Sequence, residues 1–261
     1  DGETGHICPE IAAMLGATCL TNAIRLETGG AGLVCERLLE DRVQTLSLPL
    51  PATVSVSGGY LLRPPSIAGI REARNKQVTI LTAADLGLTP EQVGAAGSAT
   101  EVVRVWRAER PEGRCRMYGD MESGVSAVLS LLRRPHKREG YAAESPPTPA
   151  AGTALVVSFA ADAQSAAYAA QLFGAAKRVC RNVRLVSVEN AGPDDGPAAE
   201  SLAGYIETTG PDLVLFPATI RGRATAPMVA ARLGIGLTAD CTGITRGDDG
   251  IITMTRPTFG G

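Results

Sequence analysis

Two short segments of this chain carry the residue types that bind an anion at the start of a helix. Gly2, Thr4 and Gly5 precede one apolar helical stretch, and Gly222 and Thr225 precede another. In both segments a loop rich in glycine and threonine leads into a helix with proline in its first turn. Proline is tolerated there because the first N–H groups of a helix make no hydrogen bond within the helix. Main-chain N–H groups at such a helix start attract phosphate and carboxylate groups. These residues therefore predict an anion-binding site at each helix start.

The two helical stretches share the pattern P-x-I/V-A-A-x-L-G, at residues 9–16 and 227–234. This separation is far longer than the period of a solenoid repeat, so we expect two copies of one domain type. The candidate binding residues of the second copy are Thr219, Gly222, Arg223 and Thr225. Because glycine and threonine also form turns and caps in α/β proteins that bind no phosphate, this second set is a weak predictor of a phosphate site.

The second half of the chain alternates short apolar runs with helical periodicity. The runs lie at 154–159, 183–188 and 212–216, and apolar residues at helical spacing separate them. This order predicts a parallel sheet with helices on both faces. Ligands on such sheets bind at the carboxyl ends of the strands, which is where residues 218–225 fall.

The first half of the chain has a different order of elements. After the helix at 9–16, glycines divide the region up to Gly59 into runs that predict antiparallel strands. A proline-rich loop at Arg63 then opens a short helix that ends near Lys76 and has a basic face. Ile67 follows two prolines and a serine in this loop, and we expect it to be exposed.

Composition narrows the function classes. The chain has 261 residues, 44% hydrophobic, which is enough for one large or two small cores. A formal charge of −2 with scattered basic residues disfavours nucleic acid, and no apolar run reaches the ~18 residues of a membrane span. The six cysteines include no C-x-x-C pair and only two histidines are present, so we predict reduced, mostly buried thiols and no metal site. No residue set predicts acid–base or nucleophilic catalysis.

The segment from Arg133 to Gly152 separates the two halves of the chain. It is basic at first and then rich in proline, alanine and serine. A solvated linker is the better interpretation of this stretch, and a basic docking patch is the alternative. We therefore predict a first domain at 1–134, a linker at 135–152 and a second domain at 153–261.

Ordered motifs in both halves resemble the electron transfer flavoprotein family. The first half resembles the C-terminal half of its beta subunit: DGETGHICP stands where that family has DGDTxQVGP, and LPLPATVSV, RPPSIAGIREARNK, ADLGLTPEQVGAAGSAT and VVRVW follow in the family's order. The second half resembles the N-terminal domain of the alpha subunit, through GRATAPMVAARLGIGLTADCTGI and RPTFGG. The resemblance covers the chain up to about Arg134 and again from about Ala154 to Gly261.

The resemblance implies an α/β fold with two related Rossmann-like domains of the adenine-nucleotide-hydrolase-like type, each with a parallel sheet. The first would be incomplete and would have added antiparallel strands. It also implies a fragment of a beta–alpha fusion, truncated at both ends, from which the alpha subunit's FAD-binding domain is absent.

The resemblance also implies roles for individual residues. The family's DGDTxQV loop lies against the phosphate of AMP, or of a second FAD in bifurcating members. That role maps onto Gly2, Thr4, Gly5, His6 and Ile7, with His6 in place of the usual glutamine. The family's exposed leucine anchor for dehydrogenases maps onto Ile67, with Arg71 and Arg74 beside it. Ala224 replaces an acidic residue of the alpha motif.

The implied function is a flavin-dependent electron carrier that takes electrons from dehydrogenases of the acyl-CoA dehydrogenase type, as in fatty acid β-oxidation. A quinone oxidoreductase or another acceptor would receive them. The main FAD would sit in the absent domain, with AMP or a second FAD at the beta-like site. The bacterial cytoplasm is the expected compartment, and the mitochondrial matrix is the alternative. Two other hypotheses stay open: an adenine-nucleotide-binding module without redox activity, and a structural fusion that binds neither ligand.

Overall fold

The computed structural model describes residues 4–30, 32–107, 115–133, 152–160, 163–189, 192 and 194–258. The described residues of 4–101 and 152–258 form one compact unit, and 102–107 and 115–133 belong to a second. The predicted linker lies outside the described residues except for Gly152. Within the compact unit, we call 4–101 the first portion and 152–258 the second portion.

The first portion begins with a helix and a mixed sheet. Helix α1 (Ile7–Leu15) leads into strands β1 (Thr18–Gly29), β2 (Gly32–Leu38), β3 (Val43–Pro49) and β4 (Ala52–Val56). The strand order is β3-β2-β1-β4. β1 pairs with β2, and β2 with β3, in antiparallel fashion, whereas β1 and β4 are parallel. The antiparallel strands predicted here are confirmed, and one parallel pair accompanies them.

A small core lies on one side of this sheet, and an irregularity in β1 between Leu20 and Ala23 brings both residues to it. Leu20 and Ala23 of β1 meet Cys35 of β2 and Leu48 of β3, and all four are buried. The neighbouring residues Cys19 and Thr21 are also buried, and Cys19 belongs to the larger core that contains Ala12, so this part of β1 is covered on both faces.

The rest of the chain before the predicted linker is mostly exposed. Residues 61–101 contain helix α2 (Ile67–Arg74), and the second unit contains helix α3 (Met121–Arg133). Within 61–101 every residue except Gly69, Ala83 and Val93 is exposed. Among the described residues, no helix combines the length and apolar character needed to cross a membrane.

The second portion is built on a parallel sheet. Its elements are β5 (Thr153–Phe159), α4 (Ala163–Ala176), β6 (Asn182–Val188), α5 (Gly196–Thr209), β7 (Leu213–Leu215) and α6 (Ile220–Leu233). The strand order is β6-β5-β7, with both pairs parallel. A hairpin of β8 (Gly243–Arg246) and β9 (Ile252–Thr255) follows.

Strand β5 lies at the centre of this sheet and is buried on both faces. Leu155, Val157 and Phe159 face α5, α6 and α1, whereas Ala154 and Val156 face α4. A strand covered on both faces reads as a continuous apolar run, which is how this segment appears in the sequence. The prediction of an α/β fold with a parallel sheet between helices is confirmed.

The two repeated helices pack against each other and end in the same way. α1 contacts α6, and Ala12 of α1 shares a core with Met228 and Val229 of α6. Gly16 and Gly234 both adopt the left-handed conformation, with φ of 62° and 63°. In each helix the glycine N–H and the next N–H donate to the same alanine carbonyl, that of Ala12 or Ala230.

The starts of the two helices differ from each other, and one prediction needs correction. Pro9 lies in the first turn of α1 as predicted, but Pro227 lies inside α6, which already begins at Ile220. The stretch from Gly222 to Thr225 is therefore helical rather than a loop. The physical reason is a cap earlier in the chain, because the Thr219 side chain accepts a hydrogen bond from the Gly222 N–H at 3.1 Å.

Candidate functional site

The loop from Thr4 to Ile7 lies directly at the start of α1. Gly5 has φ of +69°, and apart from its two chain neighbours no atom of the described residues lies within 4 Å of the place that a Cβ would occupy. The His6 carbonyl accepts the Glu10 N–H at 3.0 Å, and Pro9 has no N–H. The main-chain donors that a helix start offers here are therefore the N–H groups of Ile7 and Cys8. Gly2 lies outside the described residues.

His6 stands beside this helix start as a mainly buried side chain. Its Nδ1 lies 3.8 Å from Oε1 of Glu10, and 14% of the side chain is exposed. Burial lowers the pKa of His6, and the nearby Glu10 carboxylate opposes this shift. The imidazole is therefore neutral at neutral pH and can exchange hydrogen bonds without carrying charge, as glutamine does.

Charges from the second portion surround the same loop. Arg256 and Arg223 lower the pKa of His6, and Asp240 raises it, so all three lie close enough to act on the ring. Arg223 also donates a hydrogen bond to the Asp240 carboxylate. An anion at the α1 start would thus meet main-chain donors and a locally balanced set of charges.

The second candidate set lies at the start of α6, where the chain supplies its own carboxylate. Glu40, in the turn between β2 and β3, accepts a hydrogen bond from the Ile220 N–H. Thr219 caps the helix through Gly222, and the Thr225 hydroxyl donates to the Arg221 carbonyl at 2.9 Å. The position that an external anion would take at a helix start is therefore held by Glu40. Arg223 is the member of this set that lies near the α1 loop.

A buried ion cluster that the sequence analysis missed lies between the two portions. Arg37 of β2 and Asp195, the residue before α5, are each 1% exposed, and Arg37 Nη1 lies 3.6 Å from Asp195 Oδ2. Arg221 Nε lies 3.1 Å from Asp195 Oδ1, and its Nη2 donates to the Gly192 carbonyl at 2.8 Å. Arg37 Nε also donates to Gln44 Oε1 at 2.9 Å. Burial raises the pKa of Asp195, and the two guanidinium groups oppose that shift.

One sequence signal could have indicated this cluster. Arg37 interrupts a strand that otherwise has apolar residues at its buried positions, and Asp195 directly precedes a Gly-Pro helix start. Charged residues in such places are almost never buried unless they are paired. Arg37 and Asp195 lie far apart in the chain, so their pairing could not be predicted from the sequence.

The predicted docking residues lie on α2, within the exposed stretch of the first portion. Ile67 is the first residue of the helix and is 74% exposed. Ser66 caps the helix by accepting the Gly69 N–H at 3.0 Å. Arg71 and Arg74 are exposed in the last turn. The structure therefore presents Ile67, the less exposed Ile70 and two cations on a single short helix.

Comparison with known proteins identifies relatives for both portions. The electron transfer flavoprotein domain model matches residues 1–86 and 146–261. An electron transfer flavoprotein beta subunit from Thermoanaerobacterium thermosaccharolyticum is 31% identical over 138 residues, which is 52% of this chain and 53% of the relative. The beta subunit from Mycobacterium tuberculosis is 36% identical over 104 residues, 40% of this chain and 39% of the relative.

An alpha subunit also matches. The electron transfer flavoprotein alpha subunit from Thermoanaerobacterium thermosaccharolyticum is 43% identical over 63 residues, 24% of this chain and 19% of the relative. The chain thus spans about half the length or less of the beta relatives and a smaller share of the alpha relative. Beta relatives cover the first half and the alpha relative a shorter stretch, as expected for a beta–alpha fusion. With the family model matching most of both portions, the chain belongs to the electron transfer flavoprotein domain family.

Proposed function

We propose that this chain is part of a flavin-dependent electron carrier. It would accept electrons from dehydrogenases of the acyl-CoA dehydrogenase type and pass them to an acceptor such as a quinone oxidoreductase. The observation that carries the proposal is the family match over residues 1–86 and 146–261, with beta and alpha relatives on one chain.

The α1 loop is the proposed site for the phosphate of AMP or of a second FAD. Its residues fit such a group: Gly5 leaves open space, and Ile7 and Cys8 offer main-chain N–H groups. Neutral His6 can donate or accept a hydrogen bond, and Arg256 contributes positive charge nearby. A bound flavin would supply the redox chemistry, while these residues bind and orient the phosphate. Because Glu40 already holds the α6 start, we place the proposed site at α1 alone.

The absorption spectrum of the purified complete gene product tests this function. We expect a yellow protein, or one that becomes yellow on reconstitution with FAD. A colourless protein that takes up no FAD would contradict the electron-carrier proposal. Binding of AMP without flavin, measured by calorimetry, would instead favour the nucleotide-binding module. If neither ligand binds or raises the melting temperature, the structural role would be favoured.

Helix α2 is the proposed docking element for the dehydrogenase. Large apolar side chains around it are strongly exposed, among them Leu61, Leu62, Val78 and Ile80, each above 80%. Exposed apolar surface of this extent marks interaction sites. An apolar anchor flanked by Arg71 and Arg74 can enter a partner's pocket while the cations face its acidic rim.

An alanine substitution at the anchor tests the docking proposal. In the assay, an acyl-CoA dehydrogenase that its substrate has reduced passes electrons to the flavin of the complete protein. Ile67→Ala should lower the second-order rate constant of this flavin reduction about tenfold, as expected for an interface hot spot. The matched control is Ile251→Ala, which removes the same type of exposed side chain from the turn between β8 and β9, outside the proposed docking surface. Flavin content and melting temperature should not change in either variant. Equal reduction rates for Ile67→Ala and the wild type would exclude Ile67 as the anchor.

A further inference from the structure

Two thiols meet where α1 packs on the first strand. Cys8 is the second residue of α1 and Cys19 the second residue of β1, and their Sγ atoms lie 4.0 Å apart. A disulfide needs an S–S distance of about 2.05 Å. To form a disulfide, the two sulfur atoms must approach each other by about 2 Å, which requires the side chains to rotate about their Cα–Cβ bonds. Both cysteines are free thiols in this structure.

The two thiols differ in access and in acidity. Cys8 is partly buried, whereas Cys19 is 1% exposed, so a small reagent reaches Cys8 first. A hydrogen bond from Cys19, with further bonds from Thr53 and Ser55, lowers the pKa of Cys8 to about 7 against the opposing effect of burial. The same interaction with Cys8, together with burial, raises the pKa of Cys19. Cys8 is therefore the more readily ionised of the two thiols, and the thiolate is the nucleophile in thiol chemistry.

The position of Cys8 is a property of this chain. In the DGDTxQVGP pattern to which the α1 loop corresponds, glycine stands where this chain has Cys8. The thiol is thus not needed for the main-chain donors of the proposed phosphate site. It requires a separate explanation, which its contact with Cys19 provides.

We propose that Cys8 and Cys19 form a thiol–disulfide exchange site whose reactant is a small-molecule disulfide. The Cys8 thiolate attacks one sulfur of the reactant, forms a mixed disulfide and releases the other half as a thiolate. Cys19 then attacks the Cys8 sulfur and expels the second half. The two cysteine protons end on the two released thiols, so the reactant is reduced by two electrons and the cysteine pair is oxidised to one disulfide.

The product is a covalent link between the first turn of α1 and the start of β1. This link lies next to His6 and the loop that precedes α1, and it closes the chain segment between residues 8 and 19. The reaction goes beyond the electron-carrier proposal, because it needs neither flavin nor dehydrogenase. It can therefore fail or succeed independently of that proposal.

Peptide mass spectrometry after equilibration in a glutathione redox buffer tests the site. The protein carries Cys115→Ser, which removes the exposed thiol that would pair between molecules. After denaturation and alkylation, we expect a cross-linked peptide that joins Cys8 to Cys19, and the loss of two free thiols. Equilibration in an oxidising buffer that leaves both cysteines alkylated, or that leaves only glutathione on Cys8, would overturn the proposal. This measurement alters neither cysteine of the pair.

Matched variants assign the two roles. In Cys19→Ser the reaction should stop at a glutathione adduct on Cys8, and in Cys8→Ser the cross-link should be absent with Cys19 unmodified. Cys35→Ser, which removes another buried thiol of the same sheet, should leave the cross-link unchanged. In the native protein, Cys8 should react about tenfold faster than Cys35, whose pKa is raised by burial. Equal rates for Cys8 and Cys35 would exclude Cys8 as the attacking thiol.

Discussion

His6 is the residue whose charge state the structure controls most directly at the proposed site. Burial sets its folded-state pKa below the ordinary value of 6.5, so the unfolded chain binds a proton more readily than the folded one. The contribution of neutral His6 to the free energy of unfolding is therefore fully present above pH 6.5. It is lost as the pH drops toward the lowered folded-state pKa. We predict that His6→Gln, which cannot take up this proton, loses less stability on acidification than the wild type.

Urea unfolding of the two proteins at about pH 7.5 and about pH 5.5 measures this difference. The pKa of Asp195 is raised, so its contribution to stability changes with pH in the opposite direction. That contribution is common to both proteins and cancels in the comparison. Equal pH dependence of the unfolding midpoint in wild type and His6→Gln would show that His6 is not held neutral in the folded state.

Asp195 carries the negative charge of the buried ion cluster, and its loss should be costly. Asp195→Asn leaves Arg37, which is 1% exposed, and Arg221 without an opposing charge between them. Removing one partner of a buried pair costs about 3–5 kcal/mol, and we expect the lower end because Arg221 is partly exposed. The matched control is Asp41→Asn, which breaks the exposed contact between Asp41 and Arg42.

The free energy of unfolding in urea is the measurement for both aspartate variants. The control should be indistinguishable from the wild type, whereas Asp195→Asn should unfold at clearly lower urea concentration. Equal effects for the two variants would mean that the buried cluster adds no more than a surface pair.

At the scale of single elements, the ends of α1 and α6 depend on glycine in the left-handed conformation. Gly234 has φ of 63° at the end of α6, whereas exposed Gly174 lies inside α4 without positive φ. Gly234→Ala should lower the free energy of unfolding by about 1–2 kcal/mol, because a Cβ is unfavourable at positive φ. Gly174→Ala should raise it by about 0.5–1 kcal/mol through better helix propensity. Urea unfolding that gives both changes the same sign would contradict this assignment.

Periodicity predicted the elements well where local sequence decides the conformation. The strands β5, β6 and β7 and the helices between them follow from apolar runs and helical spacing. The start of α6 was misplaced, because Pro227 was interpreted as a first-turn proline. Thr219 and Glu40 satisfy the helix start earlier, and Glu40 comes from a turn that is distant in sequence. A cap supplied by tertiary structure has no local pattern.

The features around the candidate site likewise divide into those that local sequence predicts and those that depend on tertiary packing. The Thr4–Ile7 loop could be predicted because its residues are consecutive and precede a periodic helix. The contact between Cys8 and Cys19 and the cluster around Asp195 could not, since each depends on how separate elements pack. The sequence analysis predicted reduced, mostly buried thiols, and spacing alone cannot show which of them lie in contact.

At the scale of the molecule, the two portions are joined by three kinds of contact. α1 packs on α6, Arg37 of the first portion pairs with Asp195 of the second, and Glu40 caps α6. Apolar packing and the buried charges both tie the first sheet to the second. Because a cooperative unit unfolds together when its parts share a core, we expect the first and second portions to unfold in one transition.

Overpacking the helix contact tests this cooperativity. Ala12 is 1% exposed between α1 and α6, so the three carbon atoms that Ala12→Leu adds must enter a filled space, and the substitution should lower the free energy of unfolding by about 1–3 kcal/mol. The control, Ala166→Leu, places the same side chain on the exposed face of α4 and should be nearly neutral. Native-state hydrogen exchange should show the Cys19 amide of β1 and the Val157 amide of β5 losing protection together in Ala12→Leu, because both residues lie in the same core as Ala12. Loss of protection at Cys19 with Val157 unchanged would instead show that the second portion is stable on its own and that the helix contact only docks the two sheets.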